Sequence, residues 1–305
     1  MNTVHELIEQ ILTQTQKIVL AKEAQIKLCL SAFLSGSHIL IEDIPGVGKT
    51  TLAKTFAHVL GLQYSRIQFT SDLLPSDIVG VNFYNTKEAR FSFKKGPLFS
   101  QFLLADEINR ASSKTQSALL EAMEERQVSV DGETYPLPRP FFVIATKNPQ
   151  EEIGTYALPS SQLDRFALTF SLGYPSKEAE REMLLSTKQP AIDSLFSLTQ
   201  EQRELLEKSY ESVFVSESIL DLLEEILHFT RESGLFKTGL SPRAGITLIR
   251  VAKAYALVES RDFVTPDDIL TLLPHLMRHR LQSSSEMKSL EEMFDAVLKN
   301  IHIDT

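Results

Sequence analysis

The segment from Asp43 to Thr50 combines glycines, a lysine and a threonine at the spacing of a phosphate-binding loop of the Walker A type. Gly46 and Gly48 let the backbone wrap closely around a phosphate, because neither residue has a Cβ atom. Lys49 can reach the β- and γ-phosphates of a nucleotide, and the Thr50 hydroxyl can bind Mg²⁺. Asp43 holds the first position, where the general pattern has glycine, so we do not expect it to contact phosphate. The residues that we predict to bind the nucleotide are Pro45, Gly46, Val47, Gly48, Lys49, Thr50 and Thr51.

A second group of reactive side chains ends the apolar segment Phe102–Ala105. Asp106 and Glu107 follow that segment directly, in the form of a Walker B element. Asp106 can hold the magnesium shell, whereas Glu107 points elsewhere and can polarise the attacking water. An apolar run that ends in two carboxylates is common by itself. Downstream of a Walker A loop, it predicts hydrolysis of the bound nucleotide.

Three further polar residues are candidates for the same site, although each residue type is also compatible with a purely structural role. Asn148 follows the apolar run Phe141–Thr146 and could orient the water, or it could merely start a turn before Pro149. Arg165 precedes the last predicted strand of the N-terminal domain, on the side away from the C-terminal helical domain (the lid), and could reach the nucleotide of a neighbouring subunit. Arg243 begins a predicted helix and could reach the γ-phosphate from the second domain. By charge alone, either arginine could instead be a solvated surface residue.

The apolar patterns up to about residue 174 predict the elements that position these residues. Short β-branched or aromatic runs alternate there with helical patterns such as Thr50–Leu60 and Ser113–Glu125. This alternation is typical of βαβ units, in which helices cover a mostly parallel sheet. The predicted strands are His38–Glu42, Ser65–Thr70, Phe102–Asp106, Phe141–Thr146 and Ala167–Leu172.

Two hairpins and a helical region complete the predicted α/β architecture. Apolar residues on both sides of a polar turn predict a hairpin over residues 81–93, and alternation around Asp131-Gly132 predicts another over 127–135. After Pro175 the apolar residues recur at three- and four-residue spacing, which is helical periodicity without a comparable strand pattern. We therefore divide the chain into a core, residues 1–174, and an all-helical lid, residues 175–305.

These motifs together resemble those of the MoxR-type ATPases of the AAA+ superfamily. The resemblance spans roughly residues 5–282 and is most specific in residues 104–128, in Leu163–Phe166 and in Ser241–Arg243. It implies an AAA+ core of five parallel strands with a helical lid. It also implies that ATP and Mg²⁺ bind between core and lid, and that ATP is hydrolysed in a homo-oligomeric ring, for which a hexamer is the expected size.

The resemblance assigns roles that the residues alone left open. It implies Asn148 as sensor 1, Arg165 as the arginine finger and Arg243 as sensor 2, and Asp43 matches a usual variant of the group. It implies that residues 73–93 form an insertion, and that both hairpins belong to loops which often face the pore of a ring. The implied role is remodelling, activation or cofactor loading of client proteins, often ones with a von Willebrand factor A domain.

Composition narrows the remaining function classes. The 305 residues are 43% hydrophobic and 23% charged, which is typical of a soluble globular protein. The formal net charge of −9 disfavours generic binding of nucleic acids or anionic membranes. No apolar stretch approaches the roughly 20 residues that span a bilayer, and residues 1–7 lack a basic region, so we expect a cytoplasmic protein. Cys29 lies in an apolar run and is predicted to be a buried thiol.

Two alternatives remain beside the client-remodelling motor. A nucleic-acid motor could also use a hairpin like the one over residues 127–135, but residues 128–134 carry two acidic residues and no basic one. A nucleotide-gated scaffold with negligible turnover is the other alternative. The full set of candidate catalytic groups argues against it.

Overall fold

The computed structural model describes residues 2–87, 89–149, 154–185, 191–284, 287 and 289–302. The helices are α1 (Asn2–Gln16), α2 (Glu23–Leu34), α3 (Lys49–Val59), α4 (Pro75–Val79), α5 (Ser113–Glu125), α6 (Ser160–Leu163), α7 (Lys177–Leu185), α8 (Gln200–Glu211), α9 (Glu217–Glu232), α10 (Pro242–Val258), α11 (Pro266–Met277) and α12 (Leu290–Leu298). The strands are β1 (Ile39–Glu42), β2 (Tyr64–Gln68), β3 (Gly80–Asn85), β4 (Arg90–Lys95), β5 (Phe102–Asp106), β6 (Gln127–Val130), β7 (Glu133–Pro136), β8 (Phe142–Lys147), β9 (Leu168–Phe170), β10 (Phe236–Thr238) and β11 (Gln282–Ser283).

The central sheet has five strands in the order β2-β5-β8-β1-β9, and every neighbouring pair is parallel. The prediction of a five-stranded parallel sheet is therefore confirmed. The predicted bounds of β5 are those of the structure, whereas β9 is shorter than the predicted Ala167–Leu172. Because all strands run the same way, the residues that follow β1, β5 and β8 meet at one edge of the sheet, which we call the carboxyl edge.

Two apolar layers bury the sheet, which explains why its strands read as continuous hydrophobic runs. On one face, Ile39 and Leu104 pack with helices α1, α2 and α3. On the other face, Leu40 and Leu103 pack with α5, and all four of these side chains are fully buried. The sheet is thus a rigid platform for the loops at its carboxyl edge.

The two predicted hairpins are confirmed and contact each other. Strands β3 and β4 pair antiparallel, as do β6 and β7; Glu88, in the first turn, lies outside the described residues. Asp131 and Gly132 have φ of 51° and 84°, as expected for an Asp-Gly hairpin turn. The rings of Phe93 and Tyr135 stack with centroids 4.3 Å apart, so the hairpins pack as a pair.

The C-terminal region is a helical lid, with one departure from the all-helical prediction. Ser241 caps α10 by accepting a hydrogen bond from the Ala244 amide at 3.1 Å, and Pro242 lies in the first turn. Strands β10 and β11, however, form a short antiparallel pair inside the lid. Their pairing joins segments separated by α10 and α11, so local periodicity could not indicate it.

Helix α2 packs against α10, and α1 packs against α8, in one continuous apolar core that includes Leu30 and Val251. Cys29, on α2, is buried as predicted, and burial raises the pKa of its thiol. The division of the chain between residues 174 and 175 stays a prediction. Within the described ranges, the helices are too short or too polar for any of them to cross a membrane.

Candidate active site

The loop between β1 and α3 has the backbone geometry of a phosphate cradle. Gly46 and Gly48 have φ of +86° and +94°, a region that residues with side chains rarely adopt. A Cβ atom built at either position would meet no heavy atom within 4 Å, so open space lies beside both glycines. Gly48 directly precedes α3, and the amides of the first helical turn therefore face the loop.

Lys49 is folded back onto this loop. Its ammonium donates to the carbonyl oxygens of Asp43 at 2.6 Å and of Ile44 at 3.0 Å. Burial lowers the pKa of Lys49, whereas the charges of Asp43, Asp106 and Glu107 act in the opposite direction. The only cation of the predicted loop is thus held inside it, near the two carboxylates that follow β5.

Asp43 closes the entrance of the loop. Its carboxylate accepts hydrogen bonds from the Ile44 amide at 2.9 Å and from the Gly173 amide at 2.7 Å. Because both oxygens bind backbone donors, the side chain ties the loop to the segment after β9. This structural role agrees with the expectation that Asp43 does not contact phosphate.

Asp106 ends β5 at the carboxyl edge. Oδ1 accepts from the Thr146 hydroxyl at 2.5 Å, and Oδ2 accepts from the Arg66 guanidinium at 2.8 Å. Thr146 also accepts a hydrogen bond from the Glu107 amide at 2.9 Å. The buried hydroxyl of β8 therefore fixes both consecutive Walker B residues.

Glu107 has a left-handed backbone, with φ of 56°, which is uncommon for a residue with a side chain and turns it away from the strand. Its Oε2 accepts from the Gln68 amide group at 2.8 Å and from the Arg110 guanidinium at 3.1 Å. Asn148, which follows β8, is buried at the same edge of the sheet. The structure thus brings Lys49, Asp106, Glu107 and Asn148 to one edge.

Sequence reasoning missed Arg66, Gln68 and Thr146 as members of this site. Thr146 lies in a predicted strand, and Arg66 and Gln68 lie in another. Polar residues near the carboxyl end of an otherwise apolar parallel strand are the signal that could have found them.

Arg165 and Arg243 lie together at another place in the structure. Both guanidinium groups form ion pairs with the carboxylate of Glu124, near the end of α5. Arg126, two residues on, donates to the Phe141 carbonyl, directly before β8, so this end of α5 lies at the amino edge of the sheet. Burial lowers the pKa of Arg165, and nearby Arg243 lowers it further.

The position of Arg165 corrects one expectation, whereas the roles of both arginines stay predictions. Arg243 was expected to reach a γ-phosphate from the second domain. It lies at the amino edge, which the length of β8, roughly 20 Å at about 3.3 Å per residue, separates from the loop of its own chain. Arg165 was expected to lie away from its own lid, yet it shares Glu124 with lid residue Arg243. The start of helix α10 is joined to α5 by the Arg243–Glu124 ion pair and does not lie beside the loop, because α10 packs on α2 and α11.

The segment around β9 also joins the lid to the core. Arg280 donates to the Asp164 carboxylate at 2.7 Å and to the Ala167 carbonyl at 3.0 Å. His279 forms a hydrogen bond with the Phe166 carbonyl at 2.9 Å, and His275 packs against the Phe170 ring. These contacts give both histidines, which are spaced like metal ligands, a role in joining lid and core.

Comparisons with known proteins agree with this fold. Residues 38–168 match the ATPase family associated with various cellular activities (AAA), and residues 228–301 match the AAA lid domain. A crystal structure of a candidate ATPase from Cytophaga hutchinsonii matches with a TM-score of 0.91 and 36% identity, covering 100% of this chain and 97% of that chain.

Relatives are similar over nearly the whole chain. The uncharacterized protein YeaC of Bacillus subtilis (strain 168) is 43% identical over 299 residues, which cover 97% of this chain and 93% of that protein. The chaperone MoxR1 of Mycobacterium tuberculosis (strain ATCC 25618 / H37Rv) is 40% identical over 289 residues, which cover 91% of this chain and 76% of that protein. With its parallel core, its phosphate-binding loop and its lid, the chain belongs to the MoxR family of AAA ATPases.

Proposed function

We propose that this protein binds ATP with Mg²⁺ at the loop between β1 and α3 and hydrolyses the nucleotide to ADP and phosphate. The observation that carries the proposal is that the loop and Lys49 lie at the same edge of the sheet as Asp106 and Glu107. Backbone amides and an ammonium suit the phosphates, whereas carboxylates suit a divalent cation and a water molecule. The loop residues from Pro45 to Thr51 would surround the β-phosphate.

The oxygen donors present fit magnesium, which prefers hard oxygen ligands. The Thr50 hydroxyl, in the first turn of α3, and the Asp106 carboxylate would hold the ion or its water shell. Mg²⁺ bound there would neutralise part of the charge on the β- and γ-phosphates.

In the proposed reaction, Glu107 is the general base. Its carboxylate takes a proton from water while the water oxygen bonds to the γ-phosphorus and the bond from that phosphorus to the bridging oxygen of ADP breaks. Asn148 orients the water, and Lys49 stabilises the phosphate charge that develops. The hydrogen bonds of Gln68 and Arg110 to Glu107 hold the base when no water is positioned.

We further propose that a neighbouring subunit completes the site. Arg165 and Arg243 lie at the edge opposite their own loop, so both are available to the nucleotide of another copy. A ring, with a hexamer as the proposed size, would place this edge of one subunit against the loop of the next. The shared carboxylate of Glu124 supports this assignment, because it already holds the two guanidinium groups around one anion.

The proposed use of the energy is remodelling, activation or maturation of partner proteins, including proteins with a von Willebrand factor A domain. The name of the relative MoxR1, a chaperone, supports a role on proteins. The first hairpin adds a candidate contact surface, because Phe83, Tyr84 and Phe91 are 45%, 53% and 72% exposed. Phe93, by contrast, is used in packing against Tyr135 and Phe99.

A pulldown with the Glu107→Gln variant in ATP and Mg²⁺ tests this function. The variant is expected to retain ATP and any client, so that client proteins copurify and can be identified by mass spectrometry. Lys49→Ala, treated identically, is the control that should retain neither. An absence of ATP binding and of turnover in the wild-type protein would contradict the ATPase assignment, whereas identical copurifying proteins from both variants would contradict the client role.

A further inference from the structure

Two side chains of β2 link the carboxylates that follow β5. The Arg66 guanidinium donates through Nη2 to Asp106 Oδ2 and to Gln68 Oε1, both at 2.8 Å. Gln68 in turn donates to Glu107 Oε2 at 2.8 Å. The parallel register pairs Gln68 with Asp106 and Arg66 with Leu104, which places the side chains of Arg66, Gln68 and Asp106 on one face of the sheet.

Thr146 and Arg66, which both bind the Asp106 carboxylate, differ in how easily they can leave. Thr146 is fully buried on β8 and also binds the Glu107 amide, so its hydroxyl is fixed. The Arg66 side chain is 46% exposed, whereas the side chain of Asp106 is 10% exposed. Arg66 can therefore swing into solvent without disturbing the core, and Asp106 Oδ2 would then be open to another cation.

We propose that Arg66 is a positioning residue that competes with Mg²⁺ for the Asp106 carboxylate. This inference rests on the proposed function, because it concerns the metal of the same site. In the absence of a divalent cation, Arg66 offsets the negative charges of the neighbouring Asp106 and Glu107. Since a guanidinium and a divalent cation repel each other at short range, the ion pair must open when Asp106 joins the magnesium shell.

The proposal predicts two effects of opposite direction. Without Arg66, metal-free nucleotide meets the uncompensated charges of Asp106 and Glu107 and should bind more weakly. Magnesium, by contrast, no longer competes with the guanidinium and should act at a lower concentration. Simple damage to the fold would weaken nucleotide binding under both conditions and would not lower the magnesium requirement.

The experiment measures binding of a fluorescent ADP analogue to the full chain, first in EDTA and then over a series of MgCl₂ concentrations at constant ionic strength. Arg66→Ala and the size-conserving Arg66→Gln should both lower the half-saturating magnesium concentration by about threefold to tenfold. Both should also weaken binding in EDTA. Arg66→Lys retains the charge and should stay near the wild-type values. Arg250→Ala, which removes an exposed arginine on α10, is the control for an equal loss of charge.

A half-saturating magnesium concentration in the two neutral variants equal to or above that of the wild-type protein would overturn the proposal. The same holds if Arg250→Ala reproduces the shift, because the effect would then be one of net charge. If the wild-type protein binds the ADP analogue under neither condition, the proposed function fails. If the wild-type protein binds the ADP analogue and the Arg66 variants give the same values, only the role of Arg66 is refuted.

Discussion

At the residue scale, the candidate site depends on side chains that share a few short hydrogen bonds. Lys49 lies on the carbonyls of its own loop, and burial lowers its pKa, so its ammonium gains from a new anionic partner. Asp106 and Glu107 are consecutive, but the left-handed backbone at Glu107 directs their side chains to different partners. A metal ligand and a base can therefore come from adjacent residues.

Lys49→Ala is expected to weaken ATP binding by a factor of about 10² or more, because the phosphates lose the only cation of the loop. Titration calorimetry on the full chain measures the affinity. Lys54→Ala, on the exposed face of the same helix, is the matched control and should bind ATP like the wild-type protein. Unchanged affinity in Lys49→Ala would show that the loop is misassigned.

Glu107→Gln should bind ATP about as well as the wild-type protein yet hydrolyse it more slowly by a factor of order 10² or more, because the amide cannot accept the proton. Phosphate release and calorimetry separate the two effects. Glu224→Gln, at an exposed position of α9 in the lid, is the control. Because α5 ends at the amino edge of the sheet, Glu124 and Glu125 cannot replace Glu107 as the base for the nucleotide of their own chain. Normal turnover in Glu107→Gln would refute its role.

At the element scale, contacts between elements decide what each sequence motif can reach. The hairpins β3-β4 and β6-β7 are separate in the chain but share the Phe93–Tyr135 stack and a hydrogen bond from Asn82 to Asp131 of 2.7 Å. At the amino edge, His38 accepts from the Val143 amide at 3.0 Å and forms a hydrogen bond with the Met123 carbonyl at 3.3 Å. His38 therefore joins β1, β8 and α5.

We expect the hairpins to be energetically coupled through their stacked rings. Phe93→Leu, Tyr135→Leu and the double variant form a cycle, and its coupling free energy of unfolding should be about 0.5–1.5 kcal/mol. Urea denaturation of the three variants and the wild-type protein measures this quantity. Effects that add within about 0.3 kcal/mol would show that the stack does not hold the hairpins together.

The protein should lose stability in mild acid because His38 is buried as a neutral ring. Burial lowers the pKa of His38 well below its ordinary value, as it does for His279. Protons then bind the unfolded chain first, so the contribution is complete above about pH 6.5 and falls below it, by at most about 1.4 kcal/mol per pH unit for each histidine.

Urea unfolding at about pH 7.5 and about pH 5.5 measures this loss. His38→Gln should lower the free energy of unfolding at the higher pH but depend less on pH than the wild-type protein. His228→Gln, at an exposed position of α9, is the control and should keep the wild-type dependence. An equal pH dependence in His38→Gln and wild type would contradict the assignment of His38.

At the scale of the whole molecule, the two edges of the sheet have different proposed tasks. In the proposed ring, the carboxyl edge of each subunit would hold the nucleotide, and the amino edge would offer Arg165 and Arg243, held by Glu124, to the next subunit. Arg110 could replace these arginines at a neighbouring nucleotide only by breaking its hydrogen bond to Glu107 of its own chain. A single subunit would therefore bind ATP but hydrolyse it slowly.

Mixing two inactive variants tests this division. Arg165→Ala should bind ATP but lack the stabilising charge, an effect of about 10³ or more in related chemistry, and Lys49→Ala should fail to bind ATP. Mixed rings should recover part of the hydrolysis rate, because a wild-type loop from the first variant meets a wild-type arginine from the second. Arg243→Ala should behave like Arg165→Ala in the same mixture. If subunits exchange and no activity returns, the proposal of a shared site is wrong.

The sequence by itself determined the loop, the Walker B carboxylates and the five strands. These features are local: glycine spacing before a helix, or an apolar run that ends in carboxylates, is visible within ten residues. Helix α5 and strand β5 were predicted to the residue, because their burial pattern and polar ends coincide. Asn148 could be placed at the carboxyl edge, since it directly follows a buried parallel strand.

Only the tertiary structure decided which distant side chains meet. Arg66 and Thr146 reach Asp106 because β2 and β8 flank β5, and strand order is not written in local spacing. Arg243 faces Glu124 rather than its own loop because α10 packs on α2, a contact between helices that are far apart in the sequence. Periodicity indicates which face of an element is buried, but it does not indicate which element covers that face. Packing decides that partner, and it placed both arginines at the amino edge of the sheet.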